Sequence, residues 1–209
     1  GSKDLTWPMI EALHAENPIY VGVKLSRNKG HQNALMAGLS TAVKYADMIV
    51  SMDADLQDPP AILPEMYGYI EQGYDSVATR RVDRKGEPPI RSFFARRFYG
   101  LMRKISKTEI VDGARDYRLM TRQVVDAILA MTEYNRFTKG IYGWVGFQTK
   151  WLEFENVERA AGETKWNFWS LFLYALDGII AFSTAPLVLS SVMGLLLCLI
   201  SFFLILFVI

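Results

Sequence analysis

The spacing of apolar residues predicts two unlike regions. As far as residue 160, short apolar runs alternate with helical patterns. Asp4 to Glu16 reads as a helix with Asp4 as N-cap, and Ile19 to Leu25 as a β-branched strand. His31 to Tyr45 reads as a helix with Ala34, Leu35, Gly38, Leu39, Ala42 and Val43 on one face. Asp47 to Met52 reads as a buried strand, Pro59 to Gln72 as a helix opened by proline, and Asp75 to Arg80 as another strand. Strands alternating with helices predict an α/β domain with a mostly parallel, Rossmann-like sheet covered on both faces. Such sheets take their ligands at the C-terminal ends of the strands.

Beyond Asp177 the pattern changes. The 32 residues from Gly178 to Ile209 carry no charge. Of these, the 23 from Leu187 to Ile209 would form a helix roughly 35 Å long, enough for a hydrocarbon core of about 30 Å. The stretch 165–182 places Trp166, Trp169, Leu173, Leu176 and Ile180 on one helical stripe, as in a helix lying at the headgroup level. The predicted organisation is a globular domain over 1–160, a juxtamembrane interfacial helix over 161–184 and a transmembrane helix over 185–209.

Composition narrows the classes. With 51% hydrophobic and 22% charged residues and a net charge of +1, the chain is neither disordered nor a general nucleic-acid binder. The single cysteine, Cys198, excludes a disulfide scaffold and a Cys-rich zinc site.

The candidate chemistry follows the Asp47–Met52 strand, in Asp53-Ala54-Asp55-Leu56-Gln57-Asp58-Pro59-Pro60. Two carboxylates at i and i+2 beyond a strand point the same way, and such a pair is costly without a positive partner. A hard divalent cation, Mg²⁺ or Mn²⁺, fits Asp53 and Asp55, with Gln57 as a further oxygen ligand, and would bridge to substrate phosphates. The competing reading is a solvated loop with Asp58 as the N-cap of the next helix, a role compatible with metal binding by the other two.

SMDADLQDPP, RNKGHQNALMAGL and the opening GSKD resemble family 2 glycosyltransferases of the GT-A fold. DGARDYRLMTR and RAAGETKW, followed by an interfacial helix and a span, resemble the polyisoprenyl-phosphate members, nearest the bactoprenol glucosyltransferases of the GtrB type and related to dolichyl-phosphate mannose synthases. The resemblance implies that the first strands of the fold, and a further span, are missing from this chain. It implies a donor site with Ser2 and Asp4 near the nucleotide, and Asp53, Asp55 and Gln57 at the metal that holds the diphosphate. Asn28, Lys29 and Gly30 form a loop before a helix, placed to approach the donor's phosphates or ribose. Asp116 matches the family's catalytic position; its other reading is a partner of Arg115 or Arg118.

The candidates for the acceptor phosphate are Arg81, Arg115, Arg118, Arg159 and Lys165, and the resemblance places the loop between Arg159 and Lys165 near that phosphate. Arg81 belongs to a stretch, 80–104, with nine Lys/Arg and two acids. That stretch reads as an attraction to anionic headgroups, as a cradle for a lipid phosphate, or as a solvated helix face. The implied activity is inverting transfer of one hexose, glucose from UDP-glucose by the nearest resemblance, to polyprenyl phosphate. The implied setting is a lipid bilayer, with the catalytic domain on its cytoplasmic face because basic residues precede the span. Transfer from GDP-mannose, a processive polysaccharide synthase and an inactive anchored module are the alternatives; the QxxRW string of the synthases is absent. The motifs are compatible with a monomer or a homo-oligomer.

Overall fold

The computed structural model describes residues 4–55, 57–81, 89–133, 136–154 and 168–208. The chain divides into two compact units, Gly1–Asp83 with Gly113–Gly162, and Arg84–Asp112 with Glu163–Ile209.

The first unit contains helices α1 (Thr6–Glu16) and α2 (His31–Ala42), strand β1 (Met48–Ser51), a 3-10 turn (Pro60–Ile62) and helix α3 (Leu63–Glu71). It also holds β2 (Ser76–Arg81) and, after the excursion into the second unit, β3 (Ala114–Thr121), α5 (Arg122–Ala130), α6 (Thr138–Trp144) and β4 (Thr149–Phe154). The sheet order is β1-β3-β2-β4. Strand β3 is antiparallel to both β1 and β2, whereas β2 and β4 are parallel. The α/β class therefore stands, but the sheet is mixed rather than mostly parallel. Three strands share a direction and β3 runs against them, inserted between β1 and β2.

Three local expectations change. Ile19 to Leu25 forms no strand: among the described residues no neighbour offers it a ladder, and Ile19, Tyr20, Val21 and Val23 are exposed. Strand β1 is buried on one face only, through Ile49 and Ser51, while Met48 and Val50 look outward. In α2 the buried residues are Met36 and Leu39, with Ala34 and Gly38 exposed. The longer side chains turn towards the sheet, where they bury more apolar area. The segment from Pro59 begins as the 3-10 turn before α3 takes over, with prolines placed where a helix has no use for their missing N–H.

Met66 of α3 packs with Val77, Tyr117 and Leu119 as a core on one face of the sheet. Strand alternation puts Asp116, Arg118 and Met120 on the opposite face, in register with Ile49 and Ser51. Gly113 leads into β3 at φ +76°, and a Cβ there would meet the Arg81 carbonyl oxygen at 2.5 Å. The residue must be glycine for β3 to start this close to β2, where the Arg81 N–H bonds the Gly113 carbonyl at 3.0 Å.

The second unit holds α4 (Pro89–Ile105), α7 (Phe168–Phe182) and α8 (Ala185–Val208). Helix α4 buries Ser92 and Met102 and exposes Phe93, Phe94, Arg96, Arg97, Arg103 and Lys104. Ser183 after α7 donates to the Ile105 carbonyl at 2.9 Å. Trp169, Leu173, Leu176 and Ile180 of α7 are exposed, so the stripe does not serve a core; Trp166 lies outside the described residues. Helix α8 is 24 residues long, apolar all round and has no buried residue. By length and composition it can cross a membrane.

Candidate active site

The C-terminal end of β1 and the start of β3 meet at one edge of the sheet. The β1–β3 ladder ends at the Ser51–Arg118 pair, with Asp53 two residues beyond it on one strand and Asp116 two residues before it on the other. The antiparallel run of β3 thus delivers the candidate catalytic carboxylate beside the Asp53–Asp55 loop.

Three contacts stitch β3 to the end of β1 and to that loop. The Ser51 hydroxyl donates to the Asp116 carbonyl. The Tyr117 hydroxyl donates to the Pro59 carbonyl at 3.0 Å. Arg115 Nε lies 2.9 Å from Asp58 Oδ1, an ion pair without hydrogen-bond alignment between side chains 11% and 1% exposed. Asp58 is therefore no helix cap: it is buried, and its Oδ2 accepts the Asp53 N–H at 3.2 Å. Burial pushes the Asp58 carboxyl up; Arg115 and the Asp53 N–H pull it down, while Asp53 and Asp55 add to the rise.

Asp53 and Asp55 are partly exposed beyond β1, and Asp55 Oδ1 accepts the Gln57 N–H at 3.1 Å, closing a tight turn. Among the described residues no three His, Cys, Asp or Glu side chains cluster as a closed metal cage. Two carboxylates at a partly open strand end still fit a cation such as Mg²⁺ or Mn²⁺, which commonly takes its other ligands from water and substrate phosphates.

Asp116 does not pair with Arg115 or Arg118. Its Oδ2 lies 3.3 Å from His31 Nε2, across 85 residues of sequence. Its Oδ1 is buried and has no hydrogen-bond partner among the described residues. Burial pushes the Asp116 carboxyl up, but the His31 hydrogen bond, Lys139, the charge of His31 and Arg118 outweigh it and hold the group below its ordinary range. Conversely, the hydrogen bond to Asp116 raises the His31 pKa; desolvation opposes this, and the charges of Asp116 and Asp53 support it. The raised value means that the pair's contribution through His31 is complete below 6.5 and is lost as pH rises through the higher folded value. Histidine NMR is expected to show one of the chain's two histidines titrating above 6.5, and Asp116→Asn to bring it down.

The other candidates divide. Arg118 is 2% exposed. Its guanidinium donates to Ser76 Oγ at 3.1 Å and lies between the Tyr142 and Trp151 rings, at 4.1 and 5.3 Å. Burial lowers its pKa to about 10. Arg118 sits beneath the site, and the structure gives it no surface on which to cradle a phosphate. Arg115 is committed to Asp58, and Arg81 is half-buried at the end of β2. Arg80, from the basic stretch, is paired with Glu153 across β2 and β4, its Nε donating at 3.0 Å. Asn28 Oδ1 accepts the Gly30 N–H at 2.9 Å, Lys29 offers its carbonyl to Asn33 at 3.0 Å, and Gly30 at φ +81° turns the chain into α2. Asp4 is exposed and accepts the Thr6 N–H at 3.1 Å. Ser2, Arg159 and Lys165 lie outside the described residues.

Sequence spacing gives no sign of Asp58 as an ion-pair partner or of His31 beside Asp116. It did not single out Lys139, Ser51 or Tyr142, which surround Asp116 and Arg118. Their positions depend on pairings across the sheet, which local spacing does not encode.

The profile of glycosyl transferase family 2 matches residues 1–129. The chain is 41% identical over 202 residues to a prophage bactoprenol glucosyl transferase homolog of Escherichia coli K12, covering 97% of this chain and 65% of that protein. The same figures hold for a bactoprenol glucosyl transferase of Shigella phage SfV. An uncharacterized glycosyltransferase of Synechocystis sp. is 38% identical over 201 residues, covering 96% of this chain and 63% of that protein. The chain thus spans less than two thirds of the length of these relatives.

Proposed function

This chain belongs to glycosyl transferase family 2, and on that premise we propose that the protein moves a single hexose from a nucleotide-sugar to polyprenyl phosphate at a membrane surface. The observation that carries the reading is the placement of Asp53 and Asp116 at one end of the β1–β3 ladder, each two residues from the Ser51–Arg118 pair, with His31 within electrostatic reach of both. The relatives named bactoprenol glucosyl transferases favour glucose as the sugar and a bactoprenol-type lipid as its carrier, and UDP-glucose is the donor proposed.

Asp53 and Asp55, with Gln57 beside them, would hold a divalent cation, which when bound supplies Lewis-acid stabilisation to the leaving nucleoside diphosphate. The acceptor oxygen attacks the anomeric carbon from the opposite side and inverts it. A phosphate monoester has a second pKa of about 6, so at neutral pH its attacking oxygen is already largely ionised. A carboxylate held below its ordinary range is a poor proton acceptor, so Asp116 acts chiefly by orienting the reacting groups. The cationic groups around it, His31, Lys139 and Arg118, offset its repulsion of an anionic acceptor. Product analysis tests this reading: the lipid gains one sugar and no more, whereas a ladder of longer products would place the protein among polymerising synthases.

Helix α8 is read as a membrane span and α7 as an interfacial helix, with the basic residues that precede the span marking its cytoplasmic end. Cys198 sits inside α8. In intact membranes Cys198 is expected to resist an impermeant maleimide and to react after denaturation. Equal labelling in both states would contradict the span.

A further inference from the structure

We propose that His31 is a positioning residue for Asp116, fixing the orientation of its carboxylate at the site through Oδ2. The inference rests on the transfer reading above and adds a residue and a role to it.

The geometry carries it. Asp116 is restrained at two points, its carbonyl by the Ser51 hydroxyl and its Oδ2 by His31 Nε2 at 3.3 Å. The remaining oxygen, Oδ1, is sealed from solvent and without a partner among the described residues. A buried carboxylate oxygen left bare is costly, so Oδ1 gives the carboxylate no hold of its own, and its orientation depends on the His31 contact at Oδ2. His31 is itself restrained. It is the first residue of α2, and Gly30 at φ +81° sets the entry of that helix. The next residue, Gln32, accepts a hydrogen bond from Thr138 of α6. The imidazole is therefore delivered to Asp116 by a turn tied on two sides. Around the pair stand Asp53 beyond β1, Arg118 on β3, and Lys139 and Tyr142 on α6, and among the described residues the hydrogen bond between His31 and Asp116 is the one directional contact at the carboxylate.

His31→Ala, His31→Gln, Asp116→Asn and the His31→Ala/Asp116→Asn double variant of the full-length protein test the proposal. His31→Ala is expected to lower kcat by on the order of 10²-fold with the donor KM unchanged, because misplacement of a reacting group acts on the chemical step. His31→Gln retains an N–H donor and is expected to recover most of the rate. In the Asp116→Asn background, removing His31 should cost nothing further. The proposal is overturned by a His31→Ala rate within twofold of the parent protein, by equal losses in both backgrounds, or by a raised donor KM that His31→Gln fails to rescue, which would make His31 a donor ligand. The NMR titration separates this from the transfer reading. A histidine that titrates alike with and without Asp116 overturns the positioning role, whatever reaction the protein performs.

Discussion

Asp55→Ala is expected to reduce sugar transfer by about 10³-fold, because it removes one of two anionic ligands for the cation that stabilises the leaving diphosphate. Asp55 has a second task that must be separated from the first. Its Oδ1 accepts the Gln57 N–H and shapes the loop. Asp55→Asn keeps an acceptor at that position and removes the charge. If the carboxylate serves the cation, both variants lose activity alike, and both weaken Mn²⁺ binding measured by electron paramagnetic resonance without donor present. If the turn is what matters, Asp55→Asn retains most of the rate. Activity of Asp55→Ala within tenfold of the parent protein would remove the metal role.

The second large effect is on stability. Asp58→Ala leaves the Arg115 guanidinium, 11% exposed, without its anionic partner and the Asp53 N–H without its acceptor. Breaking a buried pair on one side commonly costs 3–5 kcal/mol. Arg115 keeps a ring contact with Phe154 at 6.0 Å and a little exposure, so about 3 kcal/mol is expected. For a unit of this size that corresponds to a fall in Tm of roughly 6–12 °C. Asp58→Leu combined with Arg115→Met removes both charges and should recover more than half of that loss. A thermal melt reads all three proteins. If Asp58→Ala melts with the parent protein, the ion pair does not hold the loop to β3.

What sequence pattern revealed, and what it did not, follows from the range of the interactions. The Asp53–Asp55 loop was legible because a short apolar strand and a following proline pair are local signals. The membrane-spanning length of α8 was legible because uncharged runs need no partner to be recognised. The insertion of β3 between β1 and β2 was not, because strand direction is set by pairing across the sheet rather than by the strand's own residues. Ile19 to Leu25 shows the same limit from the other side: its β-branched composition suits a strand, but a ladder needs a neighbour. Asp58 looked like a cap because it precedes prolines and a helix, and its burial against Arg115 became visible only when β3 was in place. His31 and Asp116 are 85 residues apart, and only the fold of α2 over the β1–β3 edge brings them together.

These contacts give the site a common logic. The loop that carries Asp53 and Asp55 is anchored through Asp58 and Pro59 to Arg115 and Tyr117, the residues on either side of Asp116. The Asp53–Asp55 pair and Asp116 are thus held by one network, so a displacement of β3 disturbs both. That coupling suits a reaction in which positioning does much of the work.

The most direct test of the central claim is transfer of label. The full-length protein, in detergent with polyprenyl phosphate and Mg²⁺ or Mn²⁺, is offered a panel of labelled nucleotide-sugars. The account predicts that label from one donor, UDP-glucose first among them, enters the lipid phase and that EDTA stops it. No label in lipid from any donor, under conditions where the protein is folded, would contradict it.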